Sequence, residues 1–183
     1  SIEEEVRKIV DDIRRSSEEL EKSVKRVVEE IAESSKEEKD RVKRNIEEIR
    51  KEIDKLRRDG ADERVKEKLD RNLEESRRRL EEYEKKLRDE LRKAKKELDD
   101  YKRDLDRRLK EAEERLRDVK DRIDKDVLEK LKRLLDKVVR DSEDVIRKLE
   151  ERLKKVVDES KEVLKELEEL HERVMREVEE TIR

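Results

Sequence analysis

Apolar residues along this chain are sparse and evenly placed. From Leu69, steps of three or four residues reach Leu73, Ser76, Leu80, Tyr83, Leu87, Leu91, Ala94, Leu98, Tyr101, Leu105, Leu109, Ala112, Leu116, Val119 and Ile123. All of these except Ser76 are apolar or Tyr. The pattern recurs every 18 residues, as in Leu69, Leu87, Leu105 and Ile123. That spacing is about five turns of α-helix, so the stripe stays on one face of a straight helix. A heptad repeat would instead drift and impose a supercoil. The rest of the chain repeats in the same way. Ile9, Val10, Ile13, Ser16 and Ser17 recur as Val27, Val28, Ile31, Ser34 and Ser35, while Val138, Val139, Ser142, Val145, Ile146 and Leu149 recur as Val156, Val157, Ser160, Val163, Leu164 and Leu167. Three long helices are predicted, each with one apolar stripe. Their other faces carry acid–base pairs four residues apart, such as Glu3–Arg7, Glu18–Lys22, Glu81–Lys85 and Glu150–Lys154. Each such pair adds only about 0.2–0.5 kcal/mol.

The first turn is marked in the residues. Arg57 and Arg58 suit a helix C-terminus, Gly60 suits a left-handed cap, and Asp62 can cap the next helix. The second turn has no Gly or Pro, and a continuous helix over residues 62–183 is the open alternative. Polar residues inside the stripes favour a turn. Ser17 and Tyr101 are equidistant from residue 59, as are Ser35 and Tyr83. Tyr101 with Ser142, and Tyr83 with Ser160, share a midpoint between residues 121 and 122. Nearby, Asp126 and Glu129 form an Asp-x-x-Glu arrangement resembling a capping box, which places the turn at 123–126. The expected fold is therefore all-α. It is an antiparallel up-down-up bundle of three long, nearly straight helices at about 2–58, 62–123 and 127–182, forming a single domain over residues 1–183.

This folding gathers polar residues into layers: Ser16, Ser17, Tyr101 and Ser142; Ser34, Ser35, Tyr83 and Ser160; and Asn45, Asn72, Ser76 and His171. Buried hydroxyls and amides cost free energy unless paired, so shared layers let them pair and disfavour slipped registers. The alternative is that each Ser bonds its own helix backbone and each Tyr tip reaches solvent. One stretch fits the stripe badly. No apolar residue occurs between Ala32 and Val42, and Glu38 stands where Leu20 and Leu56 are the repeat equivalents. That stretch is expected to be the least protected part of the first helix.

Composition changes the picture mainly by exclusion. Charged residues make up 63% of the 183, which by itself would permit disorder, but the net charge is only −3 and the apolar residues are spaced. Cys is absent, so there are no disulfides, thiolate ligands or thiol nucleophiles. No apolar run approaches the roughly 20 residues that span a bilayer, and no targeting segment precedes the charged start, so a soluble chain of unassigned location is expected. With one Gly and no Pro, sheets and phosphate-cradling loops are not expected.

Candidate chemistry is thin. His171 is the one histidine, with Glu168 three residues before it. A carboxylate di-iron bundle needs two Glu-x-x-His motifs, and His171 occupies the stripe position of Leu135 and Leu153, so a polar-layer role is the better reading. No catalytic, cofactor or metal residue is assigned. The basic run Arg77-Arg78-Arg79 is flanked by Glu74, Glu75, Glu81 and Glu82, which leaves no net positive face for nucleic acid. The stripes also lack the aromatic anchors of a membrane-surface helix.

The 18-residue repeat, the near-equal helices, the absence of Gln, Pro and Phe, and the Glu/Lys/Arg/Asp coat together resemble computationally designed, untwisted three-helix bundles. The resemblance implies a stable monomeric scaffold with no catalytic activity, cofactor or natural partner, and polar layers similar to designed hydrogen-bond networks. The polar stretch at Glu38 departs from it. A coiled-coil spacer or protein-interaction module, as an extended and possibly swapped homodimer, is the alternative reading.

Overall fold

The computed structural model describes residues 1–60 and 62–182. It contains three helices: α1 (Ile2–Asp59), α2 (Glu63–Val119) and α3 (Lys125–Ile182). They form an antiparallel up-down-up three-helix bundle. The described residues contain no strand.

The helix ends follow from local chemistry. Ser1 caps α1, its hydroxyl and carbonyl accepting from the Glu4 and Glu5 amides, and Glu3, Glu4 and Glu5 complement the positive end of the helix dipole. At the other end, the Gly60 amide bonds the Leu56 carbonyl with φ at +86°, a conformation that any Cβ would strain. Asp62 then caps α2, its carboxylate accepting from the Arg64 amide at 3.0 Å.

The second turn differs from the sequence expectation. Helix α2 ends at Val119, not at 123, in a turn closed by the Arg122 amide on the Val119 carbonyl. The cap of α3 is Asp124, whose carboxylate accepts from the Asp126 amide at 3.2 Å and whose carbonyl accepts from Leu128. Asp126 therefore lies inside the first turn of α3, where its charge still complements the dipole. Both aspartates are competent caps. The earlier one is used because nothing in residues 125–128 resists helix, and every residue added to a nucleated helix gains a backbone hydrogen bond.

Packing divides the chain into two compact units, one of Ser1–Val28 with Leu91–Lys154 and one of Glu29–Glu90 with Lys155 onward. In the first unit the core is Val6, Val10, Ile13, Leu20 and Val24 of α1, Leu98, Leu105 and Leu116 of α2, and Leu131, Leu135, Val138 and Leu149 of α3. Ala94 and Ala112 are also fully buried there. In the second unit, Val42, Ile46, Ile49, Ile53 and Leu56 of α1 pack with Val65, Leu69 and Leu80 of α2 and with Leu167, Val174 and Val178 of α3. Branched Ile and Val on α1 thus meet a Leu-rich α2. Burying such side chains contributes roughly 1.5–3 kcal/mol each, and this burial is the main source of stability.

Cross-helix polar pairs fix direction within each unit. In the first, Ser23 meets Glu97, Asp12 meets Arg108 and Glu5 meets Arg115. In the second, Glu52 meets Lys68. All four pairs are equidistant from Gly60, the signature of antiparallel neighbours. Helices α1 and α3 run parallel, with Ser35 against Ser160 and Arg50 against Glu177.

Candidate functional site: polar layers in the core

The second unit contains a hydroxyl chain that joins all three helices. The Ser35 hydroxyl of α1 donates to Ser160 Oγ of α3 at 2.8 Å, and Ser160 Oγ donates to the Val156 carbonyl, one turn earlier, at 2.7 Å. Ser35 Oγ and the Tyr83 hydroxyl of α2 are also hydrogen-bonded. Each hydroxyl has one proton. Those of Ser35 and Ser160 are committed forward, so Tyr83 is the donor to Ser35. The relay runs from Tyr83 through Ser35 and Ser160 to a backbone carbonyl with every proton placed. Tyr83 is 3% exposed, so no water is needed to complete it. Ser34 is only half-buried and takes no part in the relay.

The corresponding residues of the first unit behave differently. Tyr101 is 6% exposed and its hydroxyl is buried without a hydrogen-bond partner. Ser142 is buried, whereas Ser16 and Ser17 are half-buried. The polar contact that does cross from α1 to α2 in this unit is Ser23 Oγ donating to Glu97 Oε2 at 2.5 Å. The stripe pattern did not single out Ser23. Folding the chain back about Gly60 sets Ser23 opposite Glu97 and could have found it.

The third group is partly joined. Asn45 Nδ2 donates to the Asn72 backbone carbonyl at 3.1 Å, tying α1 to α2. Asn72 Nδ2, Ser76 Oγ and His171 Nδ1 are buried without partners. His171 is pushed below the ordinary histidine pKa by burial first and by the nearby Arg77 second, with Glu172 opposing. On α1, Glu38 is half-buried. Its Oε1 takes a long contact from Arg41 at 3.4 Å, while Oε2 is buried without a partner.

Chemically, this arrangement orients groups. The Ser35–Ser160 relay ends on a carbonyl, with no imidazole or carboxylate among the described residues in hydrogen-bond contact to draw a proton from either serine, and nucleophile activation needs such a base. Among the described residues, no group of three or more His, Cys, Asp or Glu side chains could hold a metal ion. Among the described residues, no helix is long and apolar enough to cross a membrane.

No family model matches the chain, and no curated protein does. Among solved structures, the chain is similar to one described as a computationally designed three helix bundle. The two share 21% sequence identity, and the match covers 99% of this chain and 87% of that one with a TM-score of 0.48.

Proposed function

We propose that this chain is a designed helical-bundle scaffold. It acts structurally, without catalytic activity, as a monomer whose core polar layers fix the register of the helices. The observation that carries the reading is the hydroxyl relay from Tyr83 to the Val156 carbonyl. It uses one polar side chain from each helix and leaves none of its protons unplaced, so a slip of one helical turn would break it. Sliding any helix by a turn would set Tyr83 or a serine against an aliphatic side chain and leave a buried hydroxyl unpaired, at a cost of about 1–3 kcal/mol. The surface fits the same reading. It is a mixed-sign coat with a net charge of −3, which favours solubility without creating a field for a charged ligand.

The test is solution mass and helicity. Sedimentation equilibrium should return the monomer mass of 22.5 kDa over a wide concentration range, with circular dichroism of a nearly all-helical chain. A concentration-independent dimer would overturn the monomeric scaffold in favour of an extended or swapped coiled-coil module.

A further inference from the structure

His171 is the one histidine in the chain, and it is sealed in the second unit. It is 7% exposed and shares its helix face with the core residues Leu167, Val174 and Val178. Register brings it level with the other polar groups of this region. The parallel pairs Ser35–Ser160 and Arg50–Glu177 bracket the offset that sets Asn45 beside His171, and Asn45 is bonded to Asn72. Three buried polar atoms here, Asn72 Nδ2, Ser76 Oγ and His171 Nδ1, have no hydrogen-bond partner. The charges around the ring are unevenly arranged. Arg77 of α2 opposes a positive ring, and Glu172 of its own helix favours one more weakly. At this level α1 presents the neutral amide of Asn45. Arg44, Glu48, Glu75 and Arg79 line the open groove on the Asn45–Asn72 side.

We propose that His171 is an acid-triggered release point for the second unit. A positive ring is disfavoured at this buried level, where Nδ1 has no partner, so mild acid favours an opened second unit in which the ring takes up the proton and the helices there loosen. The direction follows from linkage. The unfolded ring takes up a proton below roughly pH 6.5, whereas burial and Arg77 keep the folded ring neutral to lower pH. The unfolded state therefore binds more protons in that window. Stability is complete above roughly pH 6.5 and is lost as pH falls towards the folded pKa. Histidine is the side chain type whose ordinary pKa lies between about pH 5.5 and 7.5, and His171 is the one histidine in the chain.

Urea unfolding of the full chain at pH 7.5 and 5.5 tests this, beside His171→Leu, which installs the residue found at Leu135 and Leu153. The wild type should lose up to about tenfold in its folding equilibrium constant between the two pH values, and the variant should lose none. Hydrogen exchange at pH 5.5, corrected for intrinsic rates, should rise around residues 42–53 and 167–178 and not around 6–13 or 131–149. An NMR titration of the His171 ring provides a readout that needs no variant. The folded ring should titrate below the ordinary histidine value of about 6.5. A ring that titrates at or above pH 6.5 in the folded protein overturns the proposal, as does an equal pH loss in His171→Leu or a uniform rise in exchange.

Discussion

Tyr83 and Tyr101 lie eighteen residues apart on α2 and are both buried, yet only the Tyr83 hydroxyl has a hydrogen-bond partner. Removing the two hydroxyls should therefore have different effects. Tyr83→Phe takes a bonded donor from Ser35 and should cost about 1 kcal/mol. Tyr101→Phe removes an unpaired buried hydroxyl and should be neutral or stabilising by about 1 kcal/mol. Denaturant unfolding of both variants checks this; equal losses would contradict the hydrogen-bond assignment.

The relay also predicts coupling. Ser160 receives the Ser35 proton and passes its own to Val156, so Ser160→Ala leaves the Ser35 hydroxyl without its acceptor. The expected loss is about 1–2 kcal/mol. In a double-mutant cycle, Ser160→Ala and Tyr83→Phe should depart from additivity by about 0.5 kcal/mol or more, because both act on the same hydrogen-bond chain. Additive losses would mean that the two hydroxyls act independently.

Glu38 buries one carboxylate oxygen without a partner at the position where the repeat has Leu20 and Leu56, both of which are core residues. Glu38→Leu should raise stability by about 1 kcal/mol or more through added apolar burial and a removed polar penalty. Amide exchange near residue 38 should be faster in the parent than in the variant. A destabilised variant would indicate that Glu38 has a function in the folded chain.

At Gly60 the backbone has a positive φ, but an added Cβ would meet nothing within 4 Å. Gly60→Ala should cost about 1 kcal/mol from backbone strain alone, and Gly60→Asn less, since Asn tolerates the left-handed region. Thermal or denaturant midpoints would show this order, and no loss in the alanine variant would place the strain elsewhere.

The exposed ion pairs should matter little. Lys102 and Glu150 approach to 2.7 Å, which raises the lysine pKa through their hydrogen bond, yet both side chains are about half exposed. Glu150→Gln should change stability by less than about 0.5 kcal/mol, and 1 M salt should have little effect. A large salt-dependent loss would show that the coat contributes more than solubility.

The helices and the Gly60 turn could be read directly, because the stripe and the one glycine are strong local signals. The second turn was legible only as a midpoint. Asp124 and Asp126 both fit the chemistry of a cap, and backbone bonding over two further residues chose Asp124. Residues of the layers were legible from their place on the stripes, but their bonding was not. Tyr83, Ser35 and Ser160 form a chain, whereas the Tyr101 hydroxyl has no partner. The difference depends on side-chain reach and angle, which a spacing pattern does not carry. Ser23 and Glu97 were missed because neither completes a stripe, although their distances from the turn match.

The symmetry of the α1–α2 pairs about Gly60 has a kinetic consequence. Glu52 and Lys68 enclose a short stretch around the turn, whereas Glu5 and Arg115 enclose almost the whole of both helices. Loop-closure entropy grows with the length enclosed, and each pair that closes shortens the loop left for the next. The two helices can therefore zip outward from the turn without a long-range search.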